Sequence, residues 1–352
     1  MPLDADPVLR ALHRSLGKHG HGDERSRTLA AEAQGLLWNA ALAAGLERRR
    51  GRIDCVYERA SLWSLAGLQF ARRRGVPYVL ELNAPLVEQQ RLYRRIELVP
   101  VAEAIESSLL AGADLVLVTT TALAEYAHAR GASRRKIRLL PCGAPARMLS
   151  AGKVRPRRRG EEFVVGFLGS LKPWHGVDLL VRAFRRLVSL DGRYRLLVVG
   201  DGPLRAEVEK LRSLAPLRDK VRIVGPVPHF RVLSYLAKMD VGLAPYPPLP
   251  SFYFSPLKVW EYAAAGVPIV ATASGDLPSQ FPHKQAALLH PPGSVKKIVE
   301  HVELLRKNPE LAVRLARRAR RVARRHTWDR HAARFESLLG KLGPRWSVPG
   351  PC

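Results

Sequence analysis

A chain of 352 residues with 47% hydrophobic content is long enough for two ordinary domains and too apolar to be disordered. It holds 58 Lys+Arg against 31 Asp+Glu, a net charge of +27, which points to an anionic partner: a phosphorylated ligand, an acidic membrane surface or a nucleic acid. No apolar run approaches a membrane span, Met1–Arg10 lacks a signal peptide's apolar stretch, and Cys55, Cys142 and Cys352 are scattered without CxxC spacing, so a reduced, cytoplasmic protein without a zinc site is expected.

In chain order, a long amphipathic stretch over Arg27–Arg50 precedes short β-rich runs at Ile53–Tyr57, Tyr78–Leu82, Leu115–Thr119 and Ile137–Pro141. Helical patterns such as Leu62–Arg74 and Glu103–Ala111 fill the gaps. Residues 1–25 contain no strand-like run, and Gly17, Gly20 and Gly22 follow no strand, so the opening βαβ turn of a nucleotide-type domain is missing from this reading. Arg155–Glu162 is charged and apolar-poor and reads as a linker. Beyond it, strands are expected at Phe163–Leu168, Tyr194–Val199, Val221–Val224, Val241–Ala244, Ile269–Ala271 and Ala287–Leu289. Helices are expected at Gly176–Leu190, Leu204–Ala215, Phe230–Lys238, Pro256–Ala265 and Val295–Asn308, with a last helical region from Glu310 through Trp328 to Leu339. The alternation signals an α/β protein with parallel sheets, made of two doubly wound units facing a cleft, the first incomplete.

Four strand-to-helix turns carry chemistry-bearing residues. The first, Gly166–Gly176, ends a strand in Gly169 and Ser170 and then presents Lys172 and His175 before a helix. Ligands in open α/β sheets sit beyond the carboxyl ends of strands, and a lysine there can pair with phosphate; a plain turn with a solvated lysine reads the same. The second, Gly200-Asp201-Gly202-Pro203, is first of all a good turn sequence. In the third, Gly225–His229, the backbone around Val227 could face a base, while His229 reads equally as an exposed cap.

The fourth is Phe252–Thr272. Pro256 suits a first helical turn and Ser255 a capping position, leaving the amides of Leu257, Lys258 and Val259 to point at an anion. Lys258 adds a full charge, and Glu261, three residues on, shares its side of the helix, where a carboxylate suits two neighbouring hydroxyls such as a ribose's. An ordinary surface Lys–Glu pair is the plain alternative. The apolar neighbours Val259 and Trp260 argue for a buried helix, and a buried glutamate needs a partner. Ala263–Gly266 permit close backbone approach.

Taken together, "GFLGSLKPWHGVDLLVRAF", "LLVVGDGP", "VRIVGPVPH" and "FSPLKVWEYAAAGVPIVAT" resemble the retaining GT-B glycosyltransferases of family 4 in order and spacing. "IDCVYERASLWSLAGL", "VPYVLELNAP" and "KIRLLPCGAP" resemble their acceptor-side domain, and "RRHTWDRHAARF" their terminal helix, which crosses back to it. The resemblance implies a first domain over 1–150, a linker over 151–162, a nucleotide-sugar domain over 163–325 and a crossing helix with tail over 326–352.

It also implies roles. The donor diphosphate would sit on Gly169, Ser170, His175 and the helix start at Ser255, Pro256 and Leu257, with Lys258 and Lys172 as catalytic cations and Glu261 on the ribose. Val227 would lie on the donor side. The family usually has Arg and Lys where Ser170 and His175 stand here, and Tyr253 occupies the position of a frequent sugar-binding glutamate. Asn83 stands nearest to the family's histidine on the sugar and acceptor side. Transfer would retain anomeric configuration by front-face displacement, with no metal or other cofactor, from a nucleotide sugar to a glycan or lipid-linked acceptor. An anionic inner membrane face is the partner that the charge then suggests. A domain that binds nucleotide sugar without transferring it is the alternative, and nucleic acid is the remote one, because no aromatics interleave the arginine runs.

Overall fold

The computed structural model describes residues 23–154 and 161–342, arranged in two compact units. The expected linker lies mostly outside the described residues, as do Gly17, Gly20, Gly22 and Cys352. One unit comprises Met1–Pro141 with Arg334–Cys352, the other Cys142–Ala333. The division therefore falls after Pro141 rather than at 150. The reason is packing: Ala144 and Met148 are buried in the same apolar cluster as Trp260 and Ala319, and Ala144 bridges Thr327.

In the first unit, the described residues form four parallel strands in the order β1-β2-β3-β4: Val56–Arg59, Tyr78–Leu82, Leu115–Val118 and Ile137–Leu139. β1 starts later than its apolar run because β2 begins only after Pro77, leaving Ile53–Cys55 without a partner to pair. The helix expected at Leu62 starts at Ala66, where Asn39 Oδ1 accepts the amides of Leu65 (2.7 Å) and Ala66 (3.2 Å). The first described helix covers Glu24–Glu47. It is less amphipathic than its sequence suggests, since Leu29, Leu37, Trp38 and Leu42 all stay exposed. Its buried Glu32 accepts the amides of Glu97 and Leu98 at the start of the helix Val99–Gly112, a carboxylate where a helix dipole favours one. Phe335 and Leu339 of the last helix, Trp328–Leu339, pack with Val79, Leu115 and Leu117 of the sheet.

The second unit holds six parallel strands in the order β10-β9-β8-β5-β6-β7. These are β5 Phe163–Leu168, β6 Tyr194–Val199, β7 Val221–Gly225, β8 Val241–Ala244, β9 Ile269–Thr272 and β10 Leu288–His290. All six were legible to within a residue at either end. From β5 the chain builds outward to β7, then returns to lay β8 on the other side of β5, so the order reverses between β5 and β8. That reversal opens a crevice at the carboxyl ends of the strands. Both faces are covered by helices, with Phe167, Phe184 and Leu187 buried in one layer and Trp260, Tyr262 and Phe281 in the other.

Tyr262 pins the reversal. Its hydroxyl accepts from the Leu168 amide (2.8 Å) and donates to the Leu243 carbonyl (3.2 Å), joining the ends of β5 and β8 inside the core. Gly242 makes room, since a side chain there would meet the Tyr262 ring at 2.6 Å. Replacing Tyr262 with Phe orphans one buried donor and one buried acceptor. Tyr262→Phe is expected to cost about 1–3 kcal/mol, read as a lowered denaturant midpoint with the circular dichroism spectrum unchanged.

Candidate functional site

The loops after β5, β6 and β7 are zipped together by their backbones. Gly169 N–H donates to Val199 O and Leu171 N–H to Asp201 O, both at 2.9 Å, and Gly200 N–H donates to Gly225 O at 2.9 Å. A side chain on Gly200 would strike Gly169 O at 2.1 Å, and one on Gly202 would strike the Leu171 backbone at 2.7 Å. Gly200-Asp201-Gly202-Pro203 is thus a structural splice that holds the first loop in place.

The first loop turns through Gly169 and reaches a short 3-10 turn, Pro173–His175. His175 Nδ1 donates to Ser170 O at 2.5 Å, with Ser170 Oγ at 3.2 Å, so these two residues form one unit. Burial, with Lys258 and Lys172 nearby, pushes His175 down to about 4, leaving a neutral ring near neutral pH. Lys172 lies over the Trp174 ring at 5.1 Å. Gly176 ends the turn, and a side chain there would meet Pro245 O at 1.6 Å. The end of β8 is therefore pressed against this loop.

Across the crevice stands the helix Leu257–Ala265. It starts one residue later than expected, with Pro256 as its cap residue and no side-chain cap. Ser255 does not cap it: its Oγ accepts the Cys142 amide at 3.0 Å instead. The Val259 amide is also occupied, by Pro256 O at 3.0 Å, which leaves the amides of Leu257 and Lys258 as the open donors of the first turn. Leu257 is exposed, and Pro256 is buried.

Lys258 is only 6% exposed, and its Nζ has no hydrogen-bond partner. The ammonium lies 4.0 Å from the centroid of Phe167 and 5.6 Å from that of Tyr246. It borders Gly169 so closely that a Cβ there would sit 3.4 Å from Nζ. Desolvation lowers its pKa to about 7, against the opposing pull of Glu261. Glu261 is pushed upward by burial, and its Oε1 is held by His229 Nε2 at 3.0 Å. The carboxylate side chain is 13% exposed and the histidine 58%. The partner that a buried glutamate demands is thus His229 from the β7 turn, and no ion pair joins Glu261 to Lys258.

The structure therefore brings Gly169, Ser170, His175, Lys258 and the open helix turn to one crevice, with Lys172 electrostatically coupled to His175. Val227 is partly buried against the core, two residues before His229. Tyr253 is 3% exposed, its ring tilted on Phe254 at 4.3 Å, so it packs the loop rather than facing an open site. Asn83 belongs to the other unit, where its amide donates to Glu81 Oε1 at 2.5 Å just beyond β2. The small run Ala263–Ala265 admits no ligand; the close backbone approach is made by Gly152, where a side chain would meet Ala264 O at 2.8 Å. Sequence reasoning missed Phe167 and Tyr246, although an aromatic directly after β8 in "GLAPY" was a usable signal. Among the described residues, no group of three or more His, Cys, Asp or Glu side chains could hold a metal ion.

Two family models match the chain: "Glycosyl transferases group 1" over residues 153–322 and "Glycosyl transferase 4-like domain" over residues 7–143. The 2-deoxystreptamine glucosyltransferase of Streptomyces kanamyceticus is 26% identical over 84% of this chain and 80% of its own length. The D-inositol 3-phosphate glycosyltransferase of Acidothermus cellulolyticus is 29% identical over 86% and 69%. Among solved structures, Anabaena HepE in complex with UDP aligns at 17% identity with a TM-score of 0.67, over 87% of this chain and 82% of its own. Sucrose-phosphate synthase from Thermosynechococcus elongatus aligns at 20% with a TM-score of 0.69, over 88% and 78%.

The buried amine generates a stability prediction. The unfolded chain keeps the Lys258 proton up to about pH 10.5, whereas the fold gives it up near 7. Holding the lysine therefore costs stability in full below about pH 7, and the cost fades as pH rises toward 10.5. Lys258→Met, which keeps the volume and removes the amine, is expected to raise the melting temperature by about 2–8 °C near pH 6.5. Thermal melts should show that gain shrinking at about pH 9.5.

Proposed function

This chain belongs to the group 1 glycosyl transferases and is a glycosyltransferase of the GT-B fold, and from that premise we propose that it moves a sugar from a nucleotide-sugar donor, with retention of anomeric configuration, to a glycan, glycolipid or other glycoconjugate hydroxyl. The observation that carries the donor reading is Lys258: a buried, unpartnered cation beside two open helix amides at the reversal of strand order. A diphosphate is the ligand that satisfies all three at once. Glu261, held by His229, offers a fixed carboxylate to ribose hydroxyls one helical turn away.

In this reading the bond from the anomeric carbon to the diphosphate oxygen breaks, and a bond from that carbon to the acceptor oxygen forms on the same face. The acceptor's proton passes to the leaving diphosphate, so no protein base is needed. Lys258, Lys172 and the amides of Leu257 and Lys258 offset the charge that develops on the leaving oxygen, and we propose that they do so without a metal ion. His175, neutral and tied to Ser170, positions the loop that borders the phosphates.

Anabaena HepE was solved with UDP, so UDP is the first nucleotide to test. The acceptors named for the two relatives above, 2-deoxystreptamine and D-inositol 3-phosphate, are cyclohexane polyols, which places cyclitols in the acceptor panel beside lipid-linked glycans. The net charge of +27 suits an acceptor met at an anionic lipid surface.

Lys258→Ala is expected to lower kcat/KM by about 100-fold or more in a transfer assay over that panel. Unchanged transfer would remove Lys258 from the chemistry, and donor binding without transfer to any acceptor would replace the transferase with a binder. A second readout needs no turnover. A diphosphate raises the pKa of Lys258, so UDP binding should take up a proton at about pH 8 and much less at about pH 6. Calorimetry in buffers of different ionisation enthalpy measures this, and equal uptake at both values would contradict the diphosphate–lysine contact.

A further inference from the structure

Six arginines, Arg314, Arg317, Arg318, Arg321, Arg324 and Arg325, stand exposed on the helix Pro309–Arg325. At the helical repeat they fall within one arc of about 120°, opposite the buried Ala316, Ala319 and Ala323. The ridge they form is about 17 Å long. Among the described residues, none of the six has a carboxylate within ion-pair distance. Arginines elsewhere in this unit do find acids: Arg193 meets Asp191 at 2.6 Å, Arg205 meets Glu209 at 2.7 Å and Arg306 meets Asp191 at 3.0 Å.

A merely solvated helix face alternates its signs. Here like charges sit one turn apart at Arg314–Arg318, Arg317–Arg321 and Arg321–Arg325, which destabilises a free helix surface. The helix's single acid, Glu310, lies in its first turn. Beside the ridge, a groove of about 480 Å³ runs toward the segment after β9, lined by Arg318, Arg321, Arg325, Ser279, Gln280 and Gln285, with no acid among its lining residues. Guanidinium forks with hydroxyl and amide donors match phosphate oxygens.

We propose that this ridge is the surface through which the enzyme lies on an anionic bilayer, the groove seating a phosphate-bearing lipid headgroup; the proposal rests on the reading that the acceptor is met at a lipid surface. The spread of the charge decides for a surface over a soluble nucleotide. Six guanidinium groups along about 17 Å exceed what one diphosphate can reach, whereas a plane of headgroups meets them together. The helix has no aromatic side chain, which disfavours stacked single-stranded nucleic acid.

The test is cosedimentation of the whole chain with vesicles of phosphatidylglycerol and phosphatidylcholine, against phosphatidylcholine alone. Binding should require the anionic lipid and weaken with salt. Arg318→Gln/Arg321→Gln/Arg325→Gln should lower the vesicle partition coefficient by about tenfold or more. Arg182→Gln/Arg185→Gln/Arg186→Gln removes the same charge from exposed positions on another helix and should stay within about twofold of the parent. Equal losses in the two variants would show that net charge alone is read, and absence of binding to anionic vesicles, or duplex DNA bound in their place, would likewise overturn the proposal. Calorimetric UDP binding is measured on the same proteins. Retained UDP binding with lost vesicle binding assigns the ridge to the membrane, whereas a parent that binds vesicles but not UDP counts against the donor reading and not against the ridge.

Discussion

An amine held inside protein without an acceptor is the constraint around which the second unit is arranged. Lys258 Nζ touches two aromatic faces and a glycine, none of which replaces the hydrogen bonds water would give it. Such a group persists only if its surroundings cannot collapse onto it. The surroundings are correspondingly rigid: the helix that carries it is buried on Val259, Trp260 and Tyr262, and the Tyr262 hydroxyl ties that helix to the ends of both strands flanking the reversal. Stability is given up at one atom and recovered in the packing behind it, the usual arrangement at a site built to receive charge.

The opposite wall obeys the same logic with backbone in place of side chains. Three glycine-bearing turns, after β5, β6 and β7, lie so close that their amides and carbonyls bond across the loops. This removes freedom from the loop that carries Ser170 and His175 without adding bulk to the crevice. His175 then stays neutral, because burial and the two lysines Lys258 and Lys172 oppose a second proton, against the opposite pull of the Ser170 carbonyl. The crevice therefore holds positive charge on few atoms, at defined places.

The strands of the second unit and the four turns were legible because each is written locally: an apolar run, then Gly, Pro or Asp, then a helical period. The burial of the helix from Leu257 was legible for the same reason, in Val259 and Trp260. What could not be read were partnerships made by sheet order. His229 reaches Glu261, and Tyr246 reaches Lys258, only because β8 returns to lie beside β5. Ser255 illustrates the converse: its position invites a capping role, yet the Cys142 amide claims its hydroxyl. In the first unit, Glu32 is another such partnership, made only because the chain just before the Val99–Gly112 helix brings the amides of Glu97 and Leu98 onto it. The unit boundary also shifted, because Met148 follows packing and not the charge composition of the expected linker.

Gly152 has a meaning for how such a sequence can change. It faces the carboxyl end of the site helix, where Ala264 and the Gly152 backbone leave no volume for a methyl group. Variation is thus barred at the rear of the helix, while Leu257, exposed at its front, meets no such limit. A lineage could vary the front of this helix and never alter its seat. A free front over a fixed rear would then be a geometric consequence of the β-carbon that Gly152 lacks.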